Sequence, residues 1–282
     1  MNPQLEEIRE QQKQSWNKFS GGWKKWDSFN MIFLGPIGEA IIAAIQPSGN
    51  QTILDIAAGT GEPGLTISAM LDSGIVVITD LADDMLTIAK EKAAEKNIIN
   101  VEIKACDVCE LPFADNSFDA VSCRLGFMFF PDMQLAANEI IRVLKPGGKF
   151  ATSVWDTPDQ NFWVTAMMDT IAKNMQLPQP PPGAPGIFRC SKPGLMKTVF
   201  ENAGFVNIME EEVPLTFNAG TAGNYWSMMT EVAAPVVAAL SKADDAMHKK
   251  IKDEVFDIIN TKYADGKVAI AASAIVISGK KE

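Results

Sequence analysis

The stretch that most constrains this chain is Ile53-Leu54-Asp55-Ile56-Ala57-Ala58-Gly59-Thr60-Gly61-Glu62-Pro63-Gly64. An apolar run carries one carboxylate and gives way to a glycine-rich turn, followed by a proline that suits the first turn of a helix. Such a strand–loop–helix junction brings backbone close to a ligand. Read literally, Gly59-x-Gly61-x-x-Gly64 meets the dinucleotide fingerprint. Asp55, just ahead of it, argues for a different ligand.

The residues after this junction alternate between two patterns. Strands are predicted at 52–57, 75–79, 101–105, 118–122 and 149–154, and helices at 63–71, 83–95 and 133–143, the last stopped by Lys145-Pro146-Gly147-Gly148. Largely apolar strands alternating with helices imply a doubly wound α/β fold, a parallel sheet covered on both faces. Upstream, helices are predicted at 5–18 and 37–46, flanking an aromatic segment at 16–33. Downstream, helices are predicted at 162–175 and 192–203, a rigid Pro-rich loop at 179–185, strands at 206–213 and 267–277, and one or two long helices within 225–263.

Composition narrows the partners. A formal net charge of −10 over 282 residues repels phosphate backbones, so no nucleic acid is expected as partner. Residues 1–14 are polar and charged, without the apolar core of a signal peptide. No apolar run is expected to reach the about 18 residues of a membrane span. The longest, 268–277 and 32–45, are short or broken by Gly and Pro. A cytoplasmic protein is the expectation. Cys106 and Cys109 form a lone C-x-x-C and are read as small apolar residues beside a strand end; no metal site is expected.

Ligands of an open α/β sheet bind beyond the carboxyl ends of its strands, where Asp55, Asp80 and Asp107 all fall. A pyrophosphate received by Gly59, Gly61 and Gly64 would face Asp55 and Glu62, anion beside anion. A cationic cofactor removes the conflict. S-adenosyl-L-methionine (SAM) has a sulfonium and an ammonium and no phosphate. Asp55 then faces its amino-acid end, directly or through water, and Gly59 and Gly61 let the backbone close over the nucleoside. Asp80 accepts the ribose hydroxyls, Asp107 accepts from the adenine amino group, Val108 donates its N–H, and Leu81 and Met85 wall the ring.

The ordered motifs Asp55-x-x-x-Gly59-x-Gly61, Asp80 with Asp84-Met85-Leu86, Cys106-Asp107-Val108-x-x-Leu111-Pro112-Phe113, Ser117-Phe118-Asp119-Ala120-Val121 and Arg142-Val143-Leu144-Lys145-Pro146-Gly147-Gly148 resemble class I SAM-dependent methyltransferases, most closely the ubiquinone/menaquinone C-methyltransferase-like subgroup. The resemblance implies a Rossmann-like, seven-stranded, mostly parallel sheet with an antiparallel last strand. It implies SAM as cofactor, S-adenosyl-L-homocysteine (SAH) as product, and Ala57 and Cys123 as further cofactor contacts. One methyltransferase domain over 1–282 is expected, with a lid at 1–46, a SAM-binding core at 50–155, and substrate-side helices with the last two strands at 156–282.

The expected acceptor is a small apolar or aromatic metabolite methylated at carbon, oxygen or nitrogen. Its wall is placed at Trp23, Trp26, Arg124, Phe127, Trp155, Arg189 and Trp226. Trp16, Phe19 and Tyr225 join these tryptophans as candidate lid residues. Asp156 and Arg189 are the polar candidates for catalysis, and the only histidine, His248, lies in what reads as a solvated helix face. An NAD-dependent oxidoreductase and a non-catalytic SAM- or nucleotide-binding protein are the alternatives. Oligomeric state is not legible.

Overall fold

In the computed structural model, which describes residues 3–177, 181 and 183–282, the chain opens with two helices, α1 (Pro3–Lys25) and α2 (Asp27–Ile45). Strands β1 (Thr52–Ile56), β2 (Ile75–Asp80), β3 (Val101–Ala105), β4 (Phe118–Arg124) and β5 (Leu144–Trp155) follow, separated by helices α3 (Gly64–Ser68), α4 (Asp83–Glu95) and α5 (Met133–Val143). Then come α6 (Phe162–Asn174), α7 (Leu195–Ala203), β6 (Val206–Gly220), α8 (Ala222–Val232), α9 (Ala234–Leu240), α10 (Asp245–Lys262) and β7 (Val268–Lys280).

The seven strands form one sheet in the order β3-β2-β1-β4-β5-β7-β6. β1 to β5 pair in parallel, and β7 runs antiparallel to both β5 and β6. This is the doubly wound sheet expected, with its antiparallel last strand. Chain direction around the sheet reverses between β1 and β4, so the carboxyl ends of those two strands diverge into a crevice.

Helix α2 explains why the N-terminal segment belongs to the core. Asn30, Phe33, Leu34, Ile37, Ile41 and Ile45 recur at three- and four-residue spacing and are all buried, and the helix packs on β4, β5, β6 and β7. The expected short helix at 37–46 is therefore 19 residues long. Gly35 and Pro36 do not break it, because proline forfeits one ladder bond and tertiary burial holds the rest. Among the described residues α2 alone is long and apolar enough to cross a membrane, correcting the expectation of no such run, although its apolar stripe faces this core.

Other boundaries differ: α1 runs past the expected 5–18, α3 is shorter than 63–71, and α7 begins at Leu195 and not at 192. The helical region at 225–263 divides into three helices, since Pro235 restarts the chain as α9 and Asp244 caps α10 by accepting the Met247 amide at 2.8 Å. Lys145 to Gly148, expected as a turn, lie inside β5, where the β4–β5 register shifts. β6 and β7 extend to 15 and 13 residues as a long antiparallel pair. Of the Pro-rich loop at 179–185, residues 179, 180 and 182 lie outside the described residues, as do residues 1 and 2.

Candidate active site

The cleft lies over the carboxyl ends of β1, β2, β4 and β5 and is roofed by α1, α2 and the α8–α9 corner. Its empty space, open mouth included, is about 1460 Å³.

The glycine turn is held from behind. Register pairs Asp55 of β1 with Ser122 of β4, which places the Ser122 hydroxyl 2.7 Å from Asp55 Oδ1. The Gly64 amide donates to Asp55 Oδ2 at 2.8 Å. Asp55 is fully buried, and burial, only partly offset by these two donors, pushes its carboxyl up to about 7. It does not line the cleft, so the expected direct meeting with a ligand's amino-acid end is corrected. Its oxygens already hold the turn.

Gly61 also faces away from the cleft. It adopts φ +101°, and a Cβ there would stand 2.8 Å from Leu65 Cδ1 and 3.1 Å from Ala89 Cβ. Its role is to let the turn pack on α3 and α4. Gly59 has φ +57° and open space where a side chain would project. Ala57, Ala58 and Gly59 supply the backbone edge of the cleft.

Asp80, at the end of β2, is half-buried and points at that edge. Its Oδ2 accepts the Gly59 amide and its Oδ1 the Ala82 amide, each at 2.8 Å. Burial raises its pKa and these amides oppose the rise. A carboxylate has about four acceptor positions, so these amides leave acceptor capacity for a ligand hydroxyl. Leu81 and Met85 continue the wall. Asp107 caps a short 3-10 turn, Val108–Glu110, by accepting the Cys109 amide at 2.9 Å through Oδ1. Its buried Oδ2 has no hydrogen-bond partner; Arg9 of α1 stands 3.8 Å away. A buried carboxylate oxygen that accepts no hydrogen bond, beside the Val108 backbone, fits a ring bearing an amino group.

At the other side of the cleft, β4 ends at Arg124 and is followed by Leu125 and Gly126. A Cβ on Gly126 would lie 2.7 Å from Cys123 Sγ and 2.9 Å from Ala57 Cβ, so only glycine permits β1 and β4 to approach here. Cys123 itself is fully buried behind this contact and burial pushes its thiol up to about 12; it does not reach the cleft. Arg124 does line it, with its guanidinium held below the usual value by burial. Beyond stand Phe29, Phe33, Trp155, Trp163 and Phe217. Phe33 stacks on Trp155 at 5.8 Å, and Trp163 on Phe217 at 5.5 Å.

Of the other substrate-side candidates, Trp23 lines the cleft together with Trp16, which packs edge-on against Phe129 at 5.1 Å. Trp26 does not: its indole N–H donates to Glu231 of α8 at 2.9 Å. Phe127 is buried in the core against Phe130 and Phe200. Trp226 packs on His248 and Phe256, which removes both Trp226 and His248 from the lining. Asp156 is taken by the Thr157 amide at 2.7 Å and the Ser273 hydroxyl at 3.0 Å. Arg189 donates to the Phe130 carbonyl. Neither lines the cleft, because each is tied to its own neighbourhood.

Sequence reasoning missed Asn30, Phe29, Phe33 and Phe217. The first three sit on the wall-facing side of α2, a spacing visible once the helix is read through Pro36. Cys106 lines the cleft and Cys109 is buried; both are free, with thiols raised by burial to about 11 and about 12.

Residues 36–171, just under half of the chain, match the model of the ubiE/COQ5 methyltransferase family. The ubiquinone/menaquinone biosynthesis C-methyltransferase UbiE of Brucella abortus is 40% identical over 116 residues, 40% of this chain and 43% of that protein. The chain thus spans less than half the length of the curated relatives it matches. The YcgJ protein of Bacillus subtilis superposes with a TM-score of 0.59 at 21% identity, over 88% of this chain and 98% of its own. Phosphoethanolamine N-methyltransferase 2 of Haemonchus contortus, solved with phosphomonomethylethanolamine and SAH, gives a TM-score of 0.52 at 19% identity, over 87% of this chain and 52% of its own. The two structures carry a likeness of fold, and the sequence match carries a likeness of residues 36–171 to the ubiE/COQ5 methyltransferase family.

Proposed function

We propose, from the premise of a methyltransferase segment on a class I fold, that this chain acts as one unit in the cytoplasm to move a methyl group from SAM to a small apolar acceptor. One observation carries the choice of cofactor: the three glycine amides that a pyrophosphate would need are already taken. Gly59 N–H donates to Asp80, Gly64 N–H to Asp55, and Gly61 N–H to the Ala58 carbonyl at 2.9 Å. The cleft wall presents the carboxylates of Glu62, Asp80 and Asp107 against a single guanidinium. That balance suits a cation and disfavours a dinucleotide, the reading a bare G-x-G-x-x-G invites.

When bound, SAM supplies an activated methyl on a sulfonium, and transfer returns the carbon–sulfur electron pair to sulfur, leaving neutral SAH. The residues of this chain hold and screen. Asp80 receives the ribose hydroxyls on its remaining acceptor capacity. Asp107 Oδ2 accepts from the adenine amino group while Val108 donates to the ring. Leu81 and Met85 cover the adenine faces. Ala57 and Gly59 border the nucleoside, and Asp55 acts from behind by fixing the turn. The aromatic half of the cleft then aligns an acceptor and excludes water, which is the main demand of an in-line displacement.

Incubation with methyl-labelled SAM and a panel of neutral and anionic aromatic acceptors tests this reading. Label in the organic-extractable fraction, with equimolar SAH, is the expected result. Absence of SAH formation with every acceptor, while SAH binds normally, would leave a binding protein in place of an enzyme.

A further inference from the structure

Two residues that line the cleft each bury a polar atom without a partner, and both atoms are donors. Asn30 is 6% exposed and its Nδ2 has no hydrogen bond. The indole N–H of Trp23 is buried and equally unsatisfied. Both residues line the cleft. Buried donors without partners are rare in folded proteins unless a ligand completes them.

A third donor joins them. Arg124 lines the same space and, among the described residues, forms no ion pair and no side-chain hydrogen bond. The acids that feel its charge are Glu62, Asp55 and Asp27. Each is committed elsewhere: Glu62 to Lys96 at 3.2 Å and Thr66 at 2.7 Å, Asp55 to Gly64 and Ser122, and Asp27 to Lys92 at 2.8 Å. Gly38 of α2 leaves room beside the guanidinium, since a Cβ there would stand 4.0 Å from Nη1.

Trp23 is set apart from the adenine-side acid. Arg9 marks the Asp107 end of α1, and Trp23 lies fourteen residues on, about 21 Å along the helix axis at 1.5 Å per residue. Around the donors the wall is aromatic, with Phe29, Phe33 and Trp155 among its members. An aromatic wall that carries three donors without partners calls for a ligand that is flat, apolar and terminated by an acceptor atom.

We infer that Arg124, Asn30 and Trp23 form an oxyanion clasp for the methyl acceptor, which is a planar apolar molecule bearing an anionic oxygen, either a carboxylate or an ionised hydroxyl. This rests on the methyltransferase reading above and adds to it the charge and anchoring of the substrate. The three are positioning residues that orient the acceptor through its oxygen. The carboxylate of SAM has the same chemistry, and the experiment separates the two sources.

Calorimetry on the SAH-loaded protein compares 2-naphthoate with its neutral isostere 2-naphthamide. The carboxylate is expected to bind at least tenfold more tightly. In Arg124→Gln and Asn30→Leu the preference falls to within twofold, Arg124→Lys recovers part of it, and SAH affinity stays within threefold of wild type. Asn30→Leu is also expected to melt no lower than wild type, because it removes an unsatisfied buried donor; it decides the question should Arg124→Gln fail to fold. Equal binding of the two probes, or binding of neither, would overturn the clasp while leaving the methyltransferase reading intact. A tenfold or larger loss of SAH affinity in Arg124→Gln would overturn it in favour of the SAM carboxylate. Failure of SAH to bind the wild type would remove both.

Discussion

Asp80 Oδ2 accepts the backbone amide of Gly59 at 2.8 Å. One carboxylate at the end of β2 therefore fixes the glycine turn of β1 and, through Oδ1, the start of α4, while keeping lone pairs for a ligand. Asp80→Ala should cost stability as well as binding. It orphans two amides, worth about 2–4 kcal/mol together, and removes charge-assisted bonds to a ribose, worth about a hundredfold in affinity or more. SAH calorimetry alongside thermal melts checks both. Unchanged SAH affinity would refute the assignment.

The two turn glycines should separate by mechanism. Gly61→Val is expected to unseat α3 and α4 by about 2–4 kcal/mol, since its side chain meets Leu65 and Ala89 at a left-handed φ. Blockage of the cleft, the simpler expectation from the motif, is not its primary effect. Gly59→Ala meets nothing within 4 Å and pays only the backbone term of about 1 kcal/mol. Its fold survives, and its loss appears in SAH affinity. Denaturant melts of both variants would show the contrast; equal destabilisation would contradict it.

The Asp55 carboxyl, raised to about 7 from an ordinary 3.8, makes stability depend on pH in a predictable direction. The folded state holds this proton more tightly than the unfolded chain. Its contribution is therefore complete below about pH 4 and is lost as pH rises through 7, by about 4 kcal/mol at most. Asp55→Asn keeps an oxygen for the Gly64 amide and has no proton to lose. The melting temperature of Asp55→Asn relative to wild type should therefore rise between pH 5 and pH 8. A flat difference would mean that Asp55 titrates as an ordinary carboxylate.

Helix α1 is latched at its C-terminal end. Glu231 of α8 receives Lys25 at 2.7 Å and the Trp26 indole at 2.9 Å, and the Lys25 hydrogen bond, with the Trp26 bond against slight burial, holds Glu231 below its usual pKa. The pair is partly exposed, so Glu231→Ala should change global stability by less than about 1 kcal/mol. Hydrogen exchange over residues 3–25 should accelerate and the Michaelis constant for SAM should rise. Unaltered exchange in that helix would show the latch to be idle.

Local signals carried much of the fold. The bounds of α4, β3 and α5 coincide with those read from the sequence, because helix-favouring acids, β-branched runs and a capping Asp132 are all local in sequence. α2 was obscured by Gly35-Pro36, whose propensity argues against a helix that burial across four strands then enforces. The site divides the same way. Asp80, Asp107 and Val108 announce themselves at strand ends. The withdrawal of Asp55 depends on a Ser122 hydroxyl 67 residues away, and Asn30 becomes a wall residue only once α2 is docked. Side chains such as Phe127, Trp26 and Arg189 have the right chemistry but are taken by neighbours that no local pattern reveals.

The central claim is that this cleft holds a sulfonium nucleoside and not a dinucleotide. Titration of the purified chain with SAM, SAH and NADH in one calorimeter tests it most directly. The account predicts saturable binding of SAM and SAH at one per chain in the micromolar range, abolished by Asp80→Ala, with no heat from NADH. Saturable NADH binding with none from SAM or SAH would contradict it.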